Sequence, residues 1–336
     1  MNTFILALFQ RNHKLKSTTL YQLLIGRRTT SVLSYAYFHD LLPFFGSFPK
    51  LKEQELMNHL KQLERDKKIK RILDQSNYWG LIEESMIDVP DFIEAIDYYR
   101  YGRKEAEVWR LIQFLVQVSS YLGKSNQYLP VENSPYYLAR MRQFVKQYKS
   151  ELHQRIFDEL TDLFSTLTDE NADFLAQNFS GFQQNGATIF QLLPPDCQEF
   201  PWNQLYVSAM RHRFYVALEK HPEFLLYQFV QPVLQANFNQ SAQLSQAMFL
   251  KGDSEAAICQ KRGIRPGTLH DHLLEWAFVD PNFPFERVLT NEILAQFQLL
   301  PPDSWNYPYK ELLGTSTFSF FELRLYQIQQ KRGESC

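Results

Sequence analysis

Along most of the chain the apolar positions recur every three or four residues, the spacing that turns one face of an α-helix toward a core. Residues 16–38, KSTTLYQLLIGRRTTSVLSYAYF, form one such amphipathic stretch, interrupted at Gly26. A loop with Pro43, Gly46 and Pro49 follows. The run from Leu51 to Leu73 then places Leu56, Leu60 and Leu63 at i, i+4 and i+7, on one helix face. Residues 91–122 read as one long helix ending at Gly123, and 135–164 as another, opened by Pro135 at a first-turn position. The segment 168–200 is broken by Gly181, Gly186, Pro194 and Pro195, and 203–219 and 222–237 are two further helical stretches. No fixed repeat period runs through them. The pattern predicts an all-α, mainly helical fold in three parts: an N-terminal domain over 1–90, a helical middle over 91–238 and a C-terminal domain over 239–336.

One segment departs from the helical pattern. The stretch IKRILDQSNYWGLIEE, from Ile69, reads as a small β-ribbon. A helix, then basic residues, then a short hairpin resembles a winged helix, so the N-terminal domain is expected to be winged-helix-like. Composition agrees with a packed helical chain. Hydrophobic residues make up 45% and charged residues 21% of the 336, which excludes a disordered chain. The three cysteines, Cys197, Cys259 and Cys336, are scattered and odd in number. That argues against a disulfide framework and for a reducing compartment. The apolar run Phe4–Phe9 is too short for a signal peptide, and no stretch approaches the roughly 20 apolar residues of a membrane helix. The expectation is a cytoplasmic protein with no membrane partner.

Net charge is −2, but its distribution is uneven. Residues 1–71 hold 13 basic and 5 acidic side chains, a net +8, and 72–110 are acidic, with Glu83, Glu84, Asp88, Asp91, Glu94 and Asp97 close together. A basic segment in a near-neutral protein is either a solvated face or a site for an anionic partner such as DNA. Arg27, Arg28, Lys67, Lys68 and Lys70 are the candidates there.

The most informative run is SAQLSQAMFLKGDSEAAICQKRGIRPGTLHDHLLEWAF, from Ser241. It parses into three helices: Ser241–Lys251, stopped by Gly252; a second, capped by Asp253 or Ser254 and running through Arg262; and a third, from Pro266 or Gly267 to about Phe278. The requirements of a helix-turn-helix appear in turn. A small residue, Cys259, stands inside the second helix, where Ala is usual. Gly263 supplies the turn, Ile264 follows it, and Leu269 lies six positions after the glycine. Ile258, Leu273 and Leu274 complete the expected core.

On these residues the run resembles the helicase helix-turn-helix domain at the C-terminus of many RecQ-type helicases. Gly252, Ile258, Arg262, Gly263, Ile264, Thr268, Leu269, His272 and Leu273 match that pattern, and Cys259 departs from it. The tail element Phe321, Glu322, Leu323, Arg324 and Leu325 is similar to the family's closing segment. The N-terminal TLYQLLIGRRTTSVLSYAYFHDLLPFFG is similar to the start of the stand-alone YpbB-type proteins of Gram-positive bacteria. Those proteins carry the same C-terminal module and are commonly encoded beside a RecQ-like helicase. The resemblance implies an accessory protein of a RecQ-type helicase in DNA repair or recombination, acting by protein docking, DNA binding or both.

The residues themselves leave DNA contact by this module open. A helix-turn-helix sets its second helix of the pair in the major groove. Here that helix offers Thr268 and His270 but no Lys or Arg. Lys261, Arg262 and Arg265 cluster at the turn, yet residues 241–290 hold 5 basic and 6 acidic side chains. Phosphate attraction, the main source of non-specific affinity, is therefore weak. A docking module with a helix-turn-helix shape is one reading, and an independent DNA-binding transcriptional regulator is the alternative.

No catalytic pattern emerges. Gly123-Lys124-Ser125 has the tail of a phosphate loop, but Val118 stands where its first glycine belongs. His270 and His272 are two apart, on different helix faces, which is poor metal geometry. The chain is expected to be no enzyme and to need no cofactor or metal.

Overall fold

The computed structural model of the protein describes residues 1–72, 75, 77–82, 86–298, 300–301, 304–307, 309–313 and 318–333. Glu83, Glu84 and Cys336 lie outside the described residues. The chain is mainly helical, with a small three-stranded sheet. It divides into two compact units. The first comprises Met1–Ile25 and Pro43–Asn237; the second comprises Gly26–Leu42 and Phe238–Cys336. This differs from the three consecutive segments read from the pattern: residues 1–90 are shared between the units, and the helical middle joins the N-terminal segment.

The first unit opens with α1 (Asn2–Arg11), β1 (Lys14–Lys16), α2 (Ser17–Leu24) and α4 (Glu53–Arg65), then β2 (Ile69–Arg71) and β3 (Tyr78–Leu81). Helix α3 (Thr30–Phe38) belongs to the second unit. The antiparallel sheet has the order β1-β3-β2, with Lys14 and Lys70 both opposite Gly80. Within this unit the order around the sheet is helix, strand, helix, helix, strand, strand. Leu56, Leu60 and Leu63 seat α4 against α1, α2 and β2, since an i, i+4, i+7 row makes one continuous apolar ridge. Strand β1 falls outside the ribbon read from the pattern; three residues between two helices carry too little alternation to register.

The unit continues with α5 (Tyr98–Tyr101), α6 (Glu105–Tyr121), α7 (Pro135–Tyr148), α8 (Leu152–Ser165), α9 (Asp169–Ala176), α10 (Ile189–Leu192), α11 (Trp202–Leu218) and α12 (Leu225–Gln235). The single helix expected over 91–122 is instead a 3₁₀ turn (Asp91–Ala95), α5 and α6. Asp97 causes the break: its carboxylate accepts the Arg100 backbone N–H at 2.9 Å and starts a new helix. Asn237 does the same for α6, accepting the Lys104 N–H at 2.8 Å from 133 residues away. The stretch 135–164 is likewise two helices, α7 and α8. Helices α6, α8, α11 and α12 pack together around Trp109, Phe114, Phe214 and Phe229, all sealed from solvent.

The second unit holds α3, α13 (Gln240–Leu250), α14 (Glu255–Arg262), α15 (Pro266–Val279), α16 (Asn291–Phe297), α17 (Tyr309–Leu313) and α18 (Phe320–Arg332). Helix α15 is its centre, packed by α13, α14, α18 and α3. Among the described residues no helix is long and apolar enough to cross a membrane.

Candidate nucleic-acid interface

Local chemistry builds the three helices of the module. The Ser254 hydroxyl accepts the Ala257 N–H and starts α14. Gly263 ends it in the left-handed region, at φ 63°, a conformation that costs glycine nothing. Arg265, in extended backbone, then precedes α15, with Pro266 in its first turn, where the missing N–H is harmless. The turn has the shape read from the pattern, and Ile258, Leu269, Leu273 and Leu274 are fully buried between the helices. Cys259, read as a small core residue, is only half-buried.

The polar residues of the module are largely committed to one another. The Arg262 guanidinium reaches α13, donating to the Ser241 hydroxyl at 2.7 Å and to that of Ser245. Ser245 is 2.9 Å from His272 Nδ1, so one guanidinium and one imidazole tie α13, α14 and α15 together. Burial, then the Arg262 charge, lowers the His272 pKa below its ordinary 6.5. Lys261 Nζ donates to Asp253 at 2.7 Å. His270 stacks flat on Phe321, with ring centres 4.1 Å apart, and its Nε2 is 3.1 Å from Glu255. Arg265 and Thr268 are exposed.

Helix α15 presents little else. His272, Leu273, Leu274, Trp276, Ala277 and Phe278 are all buried. Part of the cover comes from α3. The Arg28 guanidinium pairs with Glu275, and the Thr30 hydroxyl donates to Asp271. Tyr37 packs on Phe278, with ring centres 5.2 Å apart, and Phe38 stacks on Trp305 at 5.6 Å. Lys331 Nζ donates to the carbonyls of Tyr37 and Phe38 at 3.0 and 2.8 Å, closing the end of α3. Arg324 lies inside, over Phe38 and Phe320, and burial lowers its pKa to about 10.

The basic candidates of the N-terminal segment therefore separate. Arg27, exposed, and Arg28 belong to the second unit, whereas Lys67, Lys68 and Lys70 belong to the first. Lys67 takes a left-handed conformation, φ 55°, in the turn between α4 and β2. Lys70 is exposed on β2. Lys14 and Lys16 on β1, beside the Tyr78 ring at 5.0 and 5.8 Å, extend this basic region. The signal for them was the alternation Lys-Leu-Lys ahead of a helix.

One buried polar cluster and one buried thiol lie apart from these surfaces. Glu105, on α6, is buried with His212, Arg211 and Ser208 of α11. His212 Nδ1 accepts the Asp97 backbone N–H at 2.9 Å, and the ring is sealed from solvent, so the cluster serves the core. Burial raises the Cys197 thiol to about 11, which keeps it protonated and unreactive. Among the described residues no three His, Cys, Asp or Glu side chains gather to hold a metal ion.

Residues 241–327 match the model of a helix-turn-helix domain family. The match covers the module described above and suggests DNA binding. No curated protein and no solved structure matches the chain.

Proposed function

We propose that the chain is a non-catalytic accessory protein of a RecQ-type DNA helicase, and that its helix-turn-helix module docks the helicase rather than reading DNA. The observation that carries this reading is the state of α15. A helix that enters the major groove, about 12 Å wide, must offer it a free face of polar side chains. Here the corresponding helix is spent on internal packing, and Arg28, Arg262 and His270 are spent on it or its neighbours. What the module offers to a partner is the outer face of α13. Its Leu244 and Leu250 are 61% and 57% exposed, with Gln243, Ala247 and Lys251 between them. Bared leucines on a helix suit an apolar protein contact. The resemblance of residues 241–330 to the module of RecQ-type helicases supplies the partner's identity, and repair or recombination as the process.

The test is capture of the RecQ-type helicase of the source organism by the tagged full-length chain, with nuclease present. Leu244→Asp with Leu250→Asp should abolish nuclease-resistant capture while the thermal melt stays unchanged, because both side chains face solvent. Capture that persists in the double variant, or that never occurs with the parent chain, overturns the docking reading. An independent transcriptional regulator would instead bind one operator sequence tightly through Arg265 and Thr268, and would lose that binding when both become Ala.

A further inference from the structure

The second helix of interest lies in the other unit. Helix α4 has 13 residues, about 20 Å of helix. At about 100° per residue, Gln54, Asn58, Lys61, Gln62 and Arg65 fall in one stripe about 100° wide. All five are exposed, and the stripe lies diametrically opposite the buried Leu56, Leu60 and Leu63. It contains no carboxylate. Glu53, Glu55 and Glu64 fall outside it, and Glu55 is turned back to accept the Lys52 N–H at 3.1 Å. Lys61 and Arg65 form no ion pair among the described residues. Gln54 donates to Asn58 at 2.9 Å, which orients the two amides along the helix.

The basic turn follows directly. Lys67 and Lys68 come two and three residues after Arg65, and β2 brings Lys70 to the surface. Across β3, the register sets Lys14 opposite the same Gly80 that Lys70 opposes. Arg71, of opposite strand parity, is used internally, stacked over Trp79 at 4.7 Å and 3.6 Å from Glu64. Residues 58–71 thus carry six cations against two carboxylates, a local +4.

We infer that α4, with the turn and strand that follow it, is the duplex-DNA contact of this protein: the amide and cation stripe enters the major groove, and Lys67, Lys68 and Lys70 hold the flanking phosphates. The major groove admits a helix of this width, and amides and guanidinium groups are the side chains that pair with base edges there. Cations immediately beyond the helix end supply the sequence-independent attraction to phosphate. A protein partner is less well matched, because the stripe offers no apolar side chain to bury. The inference goes beyond the docking reading by assigning DNA contact to the first unit. It rests on that reading only for its biological setting.

The experiment measures binding of the full-length chain to a fluorescein-labelled 20-base-pair duplex of mixed sequence, and to the matching single strand, by anisotropy over a salt series. The parent chain should bind duplex more tightly than single strand. Lys61→Ala with Arg65→Ala should weaken duplex binding at least tenfold and lower the discrimination between duplex sequences, whereas Lys70→Ala should reduce the salt slope by about 1, near 0.9 per lost phosphate contact. Asn58→Ala should lower the discrimination between duplex sequences with little change in that slope. Arg265→Ala with Thr268→Ala should leave affinity as it was. All these side chains are exposed, so unchanged melting curves accompany them. Single-strand binding as tight as duplex, no duplex binding at low salt, or unaltered affinity in the Lys61, Arg65 variant overturns the inference. Helicase capture by that variant separates the two readings: it should persist, since docking is assigned to α13.

Discussion

At the scale of single residues, Glu105 shows how a buried charge is kept. Burial alone would raise its pKa, but the His212 Nε2 at 3.3 Å, the Arg211 charge and the Ser208 hydroxyl outweigh burial and bring it down to about 2, from an ordinary 4.5. A carboxyl whose folded pKa is lowered adds stability that is complete above its unfolded pKa and is lost as pH falls through the folded one. The window for Glu105 is therefore from 4.5 down to 2. The span corresponds to about 3 kcal/mol at neutral pH. Urea melts at pH 7, 4.5 and 3 should show Glu105→Gln less stable than the parent at pH 7, with the gap narrowing as pH falls. A gap of constant size at all three would show that the carboxylate charge is not what the cluster stabilises. The same logic explains Arg28 and Arg262. Both are cations that composition marks as available, and both meet a hydrogen-bonding partner inside the fold.

At the scale of elements, the module depends on a few local positions. Gly263 holds φ at 63° and a Cβ there would meet nothing within 4 Å, so a substitution is penalised by backbone conformation alone. Gly263→Ala should destabilise the full chain by about 1 kcal/mol, the usual cost of an L-residue in the left-handed region. A calorimetric melt resolves that cost. A loss of several kcal/mol would mean that a side chain at this turn meets packed atoms rather than open space. Such positions are legible because caps and turns are decided within four or five residues. The same locality explains the two departures from the helical pattern. The break within 91–122 depends on Asn237 as well as Asp97, and β1 exists only because Tyr78–Leu81 pairs with it. Neither partner is near in sequence.

At the scale of the whole molecule, the consequential feature is the membership of α3. Its Val32, Leu33, Ala36 and Phe38 are buried in the second unit, although the helix lies two hundred residues from α13 in sequence. Each such side chain, uncovered, forfeits about 1.5–3 kcal/mol, or less for alanine. The opposite faces in the unit would be bared in turn. A fragment of residues 239–336 should therefore melt with low cooperativity or aggregate, and joining residues 26–42 to it through a flexible linker should restore a cooperative transition by circular dichroism. A cooperative fold of 239–336 alone would show that α3 is dispensable cover. For the same reason, full-length variants and not truncations are the proper probes of docking.

The helix-turn-helix itself, its capping serine, its turn glycine and its four core residues were determined by the sequence, because they are short-range matters of backbone conformation and apolar spacing. The basic character of residues 11–71 was equally plain from it. Only the tertiary structure decided which of those charges remain available. It placed α3 over α15, paired Arg28 with Glu275, and left the stripe of α4 open opposite its leucine ridge. The physical reason is that a side chain's availability depends on what long-range packing brings against it, and packing between distant segments is set by the complementarity of whole surfaces, which no local window contains.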